Sequence, residues 1–352
     1  MLSTKLEIML IEDNKSDILI YISGFLELEA NIEIAQELFK KNRFQEAINT
    51  CNTILDSNNN EIEALKLIAK SFLATSKIQD ARLYLNKVLN IKSDDYEAIK
   101  DLGNISQALG DINSAKKYYQ KSISINSNYA PALTNLGSLE LSTGNKQQAL
   151  SLLIKATKSA PELAPAWGNL ANGYFQLEKM QDAETACQKA IEINPGDFNS
   201  HFFLSTILIR QHKFQEAEIS LRKTIDLKPD FAEAHLNHGA ILKDLGNIQE
   251  AEISILKSIE INPNLFNAHF LLSNILIGQK KLKEAEISLR KAITLKSDFA
   301  EAHSNLGTIL IDLGKLQEAE ISIRKAIELK PNLAEGYFNL GKILNDLGKL
   351  QE

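Results

Sequence analysis

A 34-residue period runs through almost the whole chain and restricts what it can fold into. Seven blocks of this length follow one another without an insertion from Tyr96 to Leu333. Two more blocks, Leu28–Glu61 and Ile62–Asp95, extend the frame upstream and bring the number of complete repeats to nine. A period of this length is typical of an array in which short repeats bury a core by stacking on their neighbours. We number the positions of each repeat from 1 to 34.

The period divides the chain into three segments. Residues 28–333 are the nine complete repeats, and residues 1–27 are predicted to form an N-terminal cap segment. Residues 334–352 are a truncated tenth repeat, which stops at the start of a second helix. We therefore expect the chain to be a fragment, with the intact protein continuing past Glu352.

Two positions of the repeat hold small residues throughout. Position 20 is Ala in all nine complete repeats, and position 8 is Ala, Gly or Ser in all ten. Antiparallel helices approach closely only where the side chains between them are small. We predict that these positions form the contact between the two helices of each repeat. The residues at position 20 are Ala47, Ala81, Ala115, Ala149, Ala183, Ala217, Ala251, Ala285 and Ala319.

Glycine and proline mark the ends of the two helices. Glycine occupies position 15 in five repeats, where a helix would end in the left-handed conformation. Proline occupies position 32 in five repeats, where it would stop the second helix. The glycines are Gly110, Gly144, Gly246, Gly314 and Gly348, and the prolines are Pro161, Pro195, Pro229, Pro263 and Pro331.

These columns together resemble the tetratricopeptide repeat (TPR) over Leu28–Glu352. The repeat Ala300–Leu333 carries the Leu-Gly, Ala, Ala and Pro signatures of the family. The resemblance implies an all-α fold, a right-handed superhelical solenoid of stacked antiparallel helix pairs.

A longer period lies inside the first. The repeats Phe198–Phe231 and Phe266–Phe299 are identical at 24 of their 34 positions, as are Ala232–Leu265 and Ala300–Leu333. The adjacent repeats Phe198–Phe231 and Ala232–Leu265 are identical at only 12. The second half of the chain is therefore a duplicated pair of repeats, which lengthens a surface rather than building a pocket.

Charge and composition exclude several classes of function. The formal net charge is −6, which disfavours a nucleic-acid binder because such proteins need a basic stripe. No segment has the continuous apolar length of a signal peptide or a membrane span, so we expect a cytoplasmic protein. The two cysteines, Cys51 and Cys187, are predicted to be reduced core residues, because four repeats separate them.

Histidines at position 4 pose the question of a metal site. Equivalent atoms of adjacent repeats should lie about 9–10 Å apart, too far for two histidines to share one zinc ion. Trp167 and Tyr337 occupy the same position in other repeats. We therefore interpret the histidines as packing residues and predict no metal and no cofactor. They are His201, His235, His269 and His303.

Asparagine recurs at position 6, which in TPR proteins faces the concave groove. The ladder is interrupted by Phe203 and Leu271, and it resembles the one in the repeat arm of O-linked N-acetylglucosamine transferases. A carboxamide both donates and accepts, so a row of them can bind the backbone of an extended peptide whatever its sequence. The alternative is that asparagine is only a tolerated polar groove residue. We expect amides that face solvent in the free protein and micromolar binding at best. The ladder residues are Asn135, Asn169, Asn237, Asn305 and Asn339.

A second candidate site resembles the clamp with which other TPR proteins hold a chaperone tail. Lys100, Asn104 and Asn135 match its first three positions. The next repeat offers Pro165 and Asn169 where two basic residues are required, which removes most of the charge pairing for a terminal carboxylate.

The function predicted from the sequence is a non-catalytic scaffold that binds a partner protein or an extended peptide along the groove. The alternative is the substrate-recruiting arm of a larger enzyme, such as a glycosyltransferase, whose catalytic domain lies beyond residue 352. The chain carries no arrangement of residues that we assign to catalysis.

Overall fold

The computed structural model describes the backbone of residues 15–349 and the side chains of residues 28–349. Residues 1–14 of the predicted cap segment and residues 350–352 lie outside the described residues. Regular structure in the described range consists of nineteen helices without a strand, which confirms the all-α repeat array. The helices are α1 (Lys15–Lys40), α2 (Phe44–Ser57), α3 (Ile62–Ala74), α4 (Ile78–Ile91), α5 (Tyr96–Ala108), α6 (Ile112–Ile125), α7 (Ala130–Ser142), α8 (Lys146–Ser159), α9 (Ala164–Gln176), α10 (Met180–Ile193), α11 (Phe198–Arg210), α12 (Phe214–Leu227), α13 (Ala232–Asp244), α14 (Ile248–Ile261), α15 (Phe266–Gly278), α16 (Leu282–Leu295), α17 (Ala300–Asp312), α18 (Leu316–Leu329) and α19 (Ala334–Asp346).

Each repeat supplies a first helix over positions 1–13 and a second helix over positions 17–30. Aspartates cap the N-termini of some of these helices. The carboxylate of Asp95 accepts a hydrogen bond from the backbone N–H of Ala98 at 2.9 Å, and the carboxylate of Asp111 accepts one from the backbone N–H of Ser114 at 3.0 Å. The first helix of the first repeat is longer. It begins at Lys15, so the expected boundary at residue 28 falls inside α1.

The turn between the two helices has one conformation in every repeat. Position 15 has a positive φ in all ten repeats of the described chain, which confirms the prediction for the five glycines. The N–H of position 16 then returns to the carbonyl of position 11, as Lys77 does to Phe72 at 2.8 Å. Five of the ten residues are not glycine, and all of them take φ values of 58–62°. They are Asn42, Ser76, Glu178, His212 and Lys280.

The small residues form the contact between paired helices, as predicted. Every alanine at position 20 has 0 % exposure. At position 8, a Cβ added to Gly307 would lie 2.4 Å from Cδ1 of Ile323, and one added to Gly103 would lie 2.5 Å from the Tyr119 ring. Both partners occupy position 24 of the second helix. Glycine therefore sits where a bulky side chain crosses the first helix at close range.

The chain divides into two compact units, Met1–Leu177 and Glu178–Glu352. The division falls between the two helices of the repeat Ala164–Asp197. Within each unit, a second helix packs on the first helix of its own repeat and on that of the next repeat. In the C-terminal unit one continuous apolar cluster extends from Leu242 to Ile343.

Charged pairs link successive second helices of the C-terminal unit. Lys315 at position 16 lies 2.8 Å from the carboxylate of Glu286 at position 21 of the preceding repeat. Lys213 and Glu184 repeat the arrangement at 2.7 Å. Arg290 approaches Glu286 from its own helix at 2.9 Å. The Lys315 hydrogen bond, with Arg290 adding to it, lowers the pKa of Glu286 from its ordinary value.

Among the helices described, none combines the length and the apolar character required to cross a bilayer.

Candidate functional site

Positions 6 and 9 of the first helices form a half-exposed surface in each unit, which we call the ladder face. The two positions lie one turn apart, so they share a side of the helix. Core residues such as Leu102 and Ile105, at positions 7 and 10, occupy the adjoining side of the helix and are buried. Within each unit, first helices of neighbouring repeats also contact one another, as α13 does with α15 and α17 with α19. The ladder face therefore continues from one repeat to the next inside a unit.

Three of the five ladder asparagines are hydrogen-bonded between repeats. The amide of Asn135 donates to Oδ1 of Asn104 at 2.7 Å, and that of Asn305 donates to Oδ1 of Asn274 at 3.0 Å. The amide of Asn339 donates to the hydroxyl of Thr308 at 3.3 Å. Each bond joins position 6 to position 9 of the preceding repeat.

The expectation that these amides face solvent is therefore wrong for Asn135, Asn305 and Asn339, whose amides are bonded within the chain. Four of the asparagines are half-buried, and Asn339 is only 9 % exposed. The reason is the offset between stacked first helices, which sets position 6 of one repeat beside position 9 of the previous one. A bond of this kind uses one N–H of the amide, so it fixes the side chain and leaves its carbonyl oxygen for another donor.

Asn169 and Asn237 differ from the other three. Within the described residues neither amide is hydrogen-bonded, although each is half-buried. The residues across from them are Ser138 and Thr206, and the Thr206 hydroxyl donates to the carbonyl of Phe202 at 3.2 Å. Both donors and the acceptor of these two amides are therefore uncommitted within the described chain.

Apolar side chains alternate with the amides in the C-terminal unit. Phe203 and Leu271 occupy position 6 two repeats apart, and Asn237 lies between them. Leu271 faces Ala240 at position 9 of the preceding repeat, where the asparagines face polar residues. The ladder face of this unit therefore offers alternating apolar and amide surfaces, a pattern that follows from the duplication of the repeat pair.

The clamp candidates of the N-terminal unit are joined in one polar cluster. Lys100 forms an ion pair with the carboxylate of Asp101, which is buried. Asn104 donates to the same carboxylate at 3.3 Å and accepts the hydroxyl of Tyr119 at 2.9 Å. Lys100 is thus neutralised within the chain, a further departure from a clamp that binds a free carboxylate.

Tyr119 was not identified as part of this cluster from the sequence. Its ring is fully buried under Gly103, and burial raises the pKa of its hydroxyl to about 12. The hydroxyl oxygen also lies 2.8 Å from Oε1 of Gln107, so its single proton is shared between the two amide oxygens. The signal in the sequence was the pairing of a glycine at position 8 with a tyrosine at position 24.

Each histidine at position 4 makes the same kind of hydrogen bond, to a backbone carbonyl of the preceding repeat. The Nε2 atoms of His235 and His269 lie 2.9 and 3.0 Å from the carbonyl oxygens of Pro229 and Pro263, at position 32 of the preceding repeat. Trp167 Nε1 donates to the carbonyl of Pro161 at 2.8 Å. Where position 4 is Trp or His, its ring nitrogen therefore bonds the carbonyl that follows the previous second helix, which is a packing role. In the described part of the chain no three His, Cys, Asp or Glu side chains cluster as a metal site would require.

Both cysteines are free and buried, as predicted. Burial raises the pKa of each thiol to about 12. The Cys187 thiol donates to the carbonyl of Ser200 at 3.3 Å.

Helix pairs with alanine at position 20, a left-handed turn at position 15 and a fixed 34-residue spacing define a tetratricopeptide repeat protein. The family model of the tetratricopeptide repeat matches residues 300–333. A larger model, described as the C-terminal domain of cilia and flagella-associated protein 70, matches residues 92–308, more than half of the chain. The chain belongs to this family. TPR arrays are protein-interaction scaffolds in general, bind proteins or peptides, and are typically non-catalytic.

Solved structures with the same fold have low sequence identity. The pilF protein of Pseudomonas aeruginosa is 18% identical with a TM-score of 0.55, covering 59% of this chain and 94% of its own. The APC/C hetero-tetramer Cut9–Hcn1 gives 15% identity and a TM-score of 0.54, covering 85% of this chain and 59% of the other. A tetratricopeptide repeat protein from Parabacteroides merdae is 20% identical with a TM-score of 0.50, covering 71% of this chain and 99% of its own. These likenesses show the fold alone. None of the curated proteins matches the chain.

Proposed function

We propose that the chain is a non-catalytic scaffold that binds an extended segment of a partner protein along the ladder face of its C-terminal unit. The observation that carries the proposal is the alternation of Phe203, Asn237, Leu271 and Asn305 on successive first helices. Amides can bind the backbone of the segment, and the apolar side chains can bind its side chains.

The spacing of the repeats predicts what the segment looks like. Successive first helices lie roughly 10 Å apart, and an extended chain rises about 3.3 Å per residue. One repeat therefore corresponds to about three residues of the partner, and the step from Phe203 to Leu271 to about six. Because six is even, two apolar side chains six residues apart point to the same side of an extended segment.

The hydrogen bonds between repeats support this function by fixing the amides before a ligand arrives. A side chain such as Asn305, which Asn274 holds in place, loses little rotamer freedom on binding. Each backbone bond to an amide contributes about 0.5–1.5 kcal/mol, so a few of them give a weak complex that depends on the apolar contacts for specificity.

The test is fluorescence anisotropy with a labelled ten-residue peptide that carries Leu at positions 2 and 8 in a background of Gln, Thr and Val. We expect Asn237→Ala to weaken binding about 2- to 10-fold without changing stability, since its amide makes no recorded bond within the described chain. Asn305→Ala should lower both affinity and stability. The control peptide has Leu at positions 2 and 7, which places the two side chains on opposite sides.

Two results would contradict the proposal. One is equal affinity of the wild type for the two peptides. The other is unchanged affinity of Asn237→Ala and Asn305→Ala for the first peptide, which would leave asparagine as a tolerated polar residue only.

A further inference from the structure

Four exposed isoleucines form a row on the second helices of the C-terminal unit. They occupy position 22 of four successive repeats and are 65–71% exposed. The apolar residues two positions later, such as Leu221 and Ile323, have 0% exposure. The row is therefore separate from the core and lies on the helix surface away from it. We call Ile219, Ile253, Ile287 and Ile321 the isoleucine row.

The row belongs to four successive repeats of this unit and is not a property of the repeat in general, since position 22 of α10 in the same unit is Thr185. In the N-terminal unit the same position holds Asn49, Lys117 and Ser151, with an apolar residue at Leu83. In the C-terminal unit the sequence Glu-Ala-Glu-Ile-Ser recurs in all four repeats, although adjacent repeats such as Phe198–Phe231 and Ala232–Leu265 are identical at only 12 of their 34 positions.

The apolar surface continues from the row into grooves between second helices. Ile321 lines one groove with Ile293 and Leu306, and Ile219 lines another with Ile191. Leu256, at position 25 and 48% exposed, extends the surface sideways. Four four-turn helices, each about 21 Å long and roughly 10 Å from the next, present a face of about 800 Å². A face of this order is large enough to supply the roughly 800 Å² that one partner buries in a stable interface of standard size.

Opposite charges flank the isoleucine row on its two sides. Position 19, three residues before each isoleucine, is an exposed glutamate in all four repeats. Position 25, three residues after it, is Arg222, Arg290 or Arg324 in three of them, and position 26 is Lys in all four. Arg222 and Arg324 lie along their own helices and approach Glu218 and Glu320 at 2.6 and 2.9 Å, whereas Arg290 also pairs with Glu318 at position 19 of the next repeat. Each helix therefore carries negative charge on one side of its isoleucine and positive charge on the other.

We propose that the isoleucine row is the interface of a two-fold symmetric dimer of this chain. A two-fold axis parallel to the row sets each second helix antiparallel to the same helix of the second copy. Each isoleucine of the row then contacts the same isoleucine of the second copy. Glu216 then faces Arg222 of the second copy, and Glu284 faces Arg290. Lys283 faces Lys291 as an unfavourable pair.

The direction of the axis follows from the charges. An axis across the row would set the glutamates of one copy against those of the other, and like charges in contact disfavour such a pairing. The axis along the row brings opposite charges together in every repeat that carries the arginine. The charge pattern therefore selects a second copy of the chain, in one orientation, as the occupant of this face.

The experiment is sedimentation equilibrium of the full chain from 1 to 200 µM, with circular dichroism to check folding. We expect a dimer that weakens with added salt. Replacing all four isoleucines of the row with Lys should raise the dimer dissociation constant at least about 100-fold. Leu83→Lys, at the same position in the N-terminal unit, is the matched control and should leave the dimer unchanged.

A pair of charge variants tests the orientation independently of the isoleucines. One variant carries Glu→Lys at Glu216, Glu250, Glu284 and Glu318, and the other carries Arg→Glu at Arg222, Arg290 and Arg324. We expect each to be monomeric alone and the two together to form a heterodimer. A wild type that stays monomeric at 200 µM would overturn the proposal. So would a dimer that survives the isoleucine changes, or charge variants that fail to associate when mixed.

Discussion

The close approach of Gly307 to Ile323 allows a quantitative test of how the repeats are held together. A methyl group added at Gly307 would lie 2.4 Å from Cδ1 and 2.5 Å from Cγ1 of Ile323, more than 1 Å inside the usual carbon contact of about 3.5–4.0 Å. Ile323 has 0% exposure, so it cannot swing into solvent. The overlap should cost about 1–3 kcal/mol, offset by up to about 1 kcal/mol because Ala is a better helix former than Gly. We expect Gly307→Ala to destabilise by about 1–2 kcal/mol.

The first repeat of the chain suggests the compensating change. It pairs Ala35 with Cys51 at the same two positions, and both have 0% exposure. Ile323→Cys alone should leave a cavity and cost about 1–3 kcal/mol. In the double variant the added methyl occupies that space, so the combined cost should fall short of the sum by about 1 kcal/mol or more.

The assay is native-state hydrogen exchange resolved to α17 and α18, because repeat arrays open locally and a single global unfolding energy is not defined for them. Gly168→Ala is the control, since a Cβ there meets nothing within 4 Å and Ala should stabilise by about 0.5–1 kcal/mol. The reasoning fails if Gly307→Ala behaves like this control, or if its cost is the same with and without Ile323→Cys.

Three further outcomes follow from the geometry. Lys280 has a φ of 62°, so Lys280→Gly should raise the local stability of its repeat by about 0.5–1 kcal/mol and the reverse change Gly246→Lys should lower that of its own, as hydrogen exchange resolved to the flanking helices will show. The pKa of Glu286 is lower in the folded chain than its unfolded value of about 4.3, so its ion pair with Lys315 stabilises the fold above that pH and ceases to do so as the pH falls through the folded pKa. The difference in melting temperature between wild type and Lys315→Met should therefore narrow from pH 6 to pH 3, and a constant difference would contradict this. With thiol pKa values of about 12, Cys51 and Cys187 should react with a disulfide reagent at pH 8 at least about 100-fold more slowly in the folded chain than in urea.

The helices and their contacts could be predicted because their signals are local and repeated. The alanines at position 20 and the glycines at position 15 each depend on the backbone of one turn. Because they recur every 34 residues, chance occurrences of these residue types elsewhere do not obscure the pattern. The left-handed conformation of Glu178 and Lys280 was missed, because neither residue type favours it. Only the alignment of their position with the glycines would have predicted it.

The ladder face was located by the period, but its hydrogen bonds were not. The bond from Asn305 to Asn274 joins neighbouring repeats and depends on the offset between stacked helices, which no local pattern contains. A signal does exist in the sequence. Wherever position 6 is asparagine, position 9 of the preceding repeat is Asn, Ser or Thr, whereas Leu271 has Ala240 in that place. The exposure of the isoleucine row was likewise missed, since isoleucine at helical spacing is usually assigned to a core.

The duplicated pair of repeats lets the array change length without a new junction. Asp197 caps α11 by accepting the backbone N–H of Asn199 and of Ser200, each at 3.2 Å. Deleting residues 198–265 would join Asp197 to Phe266, and the next residues, Phe-Asn-Ala-His, differ from the original Phe-Asn-Ser-His at one place. Since each repeat contacts only its neighbours, the shortened chain keeps every kind of interface that the longer one has. Unequal exchange between the two near-identical gene segments could therefore lengthen or shorten the protein in steps of two repeats while each intermediate still folds.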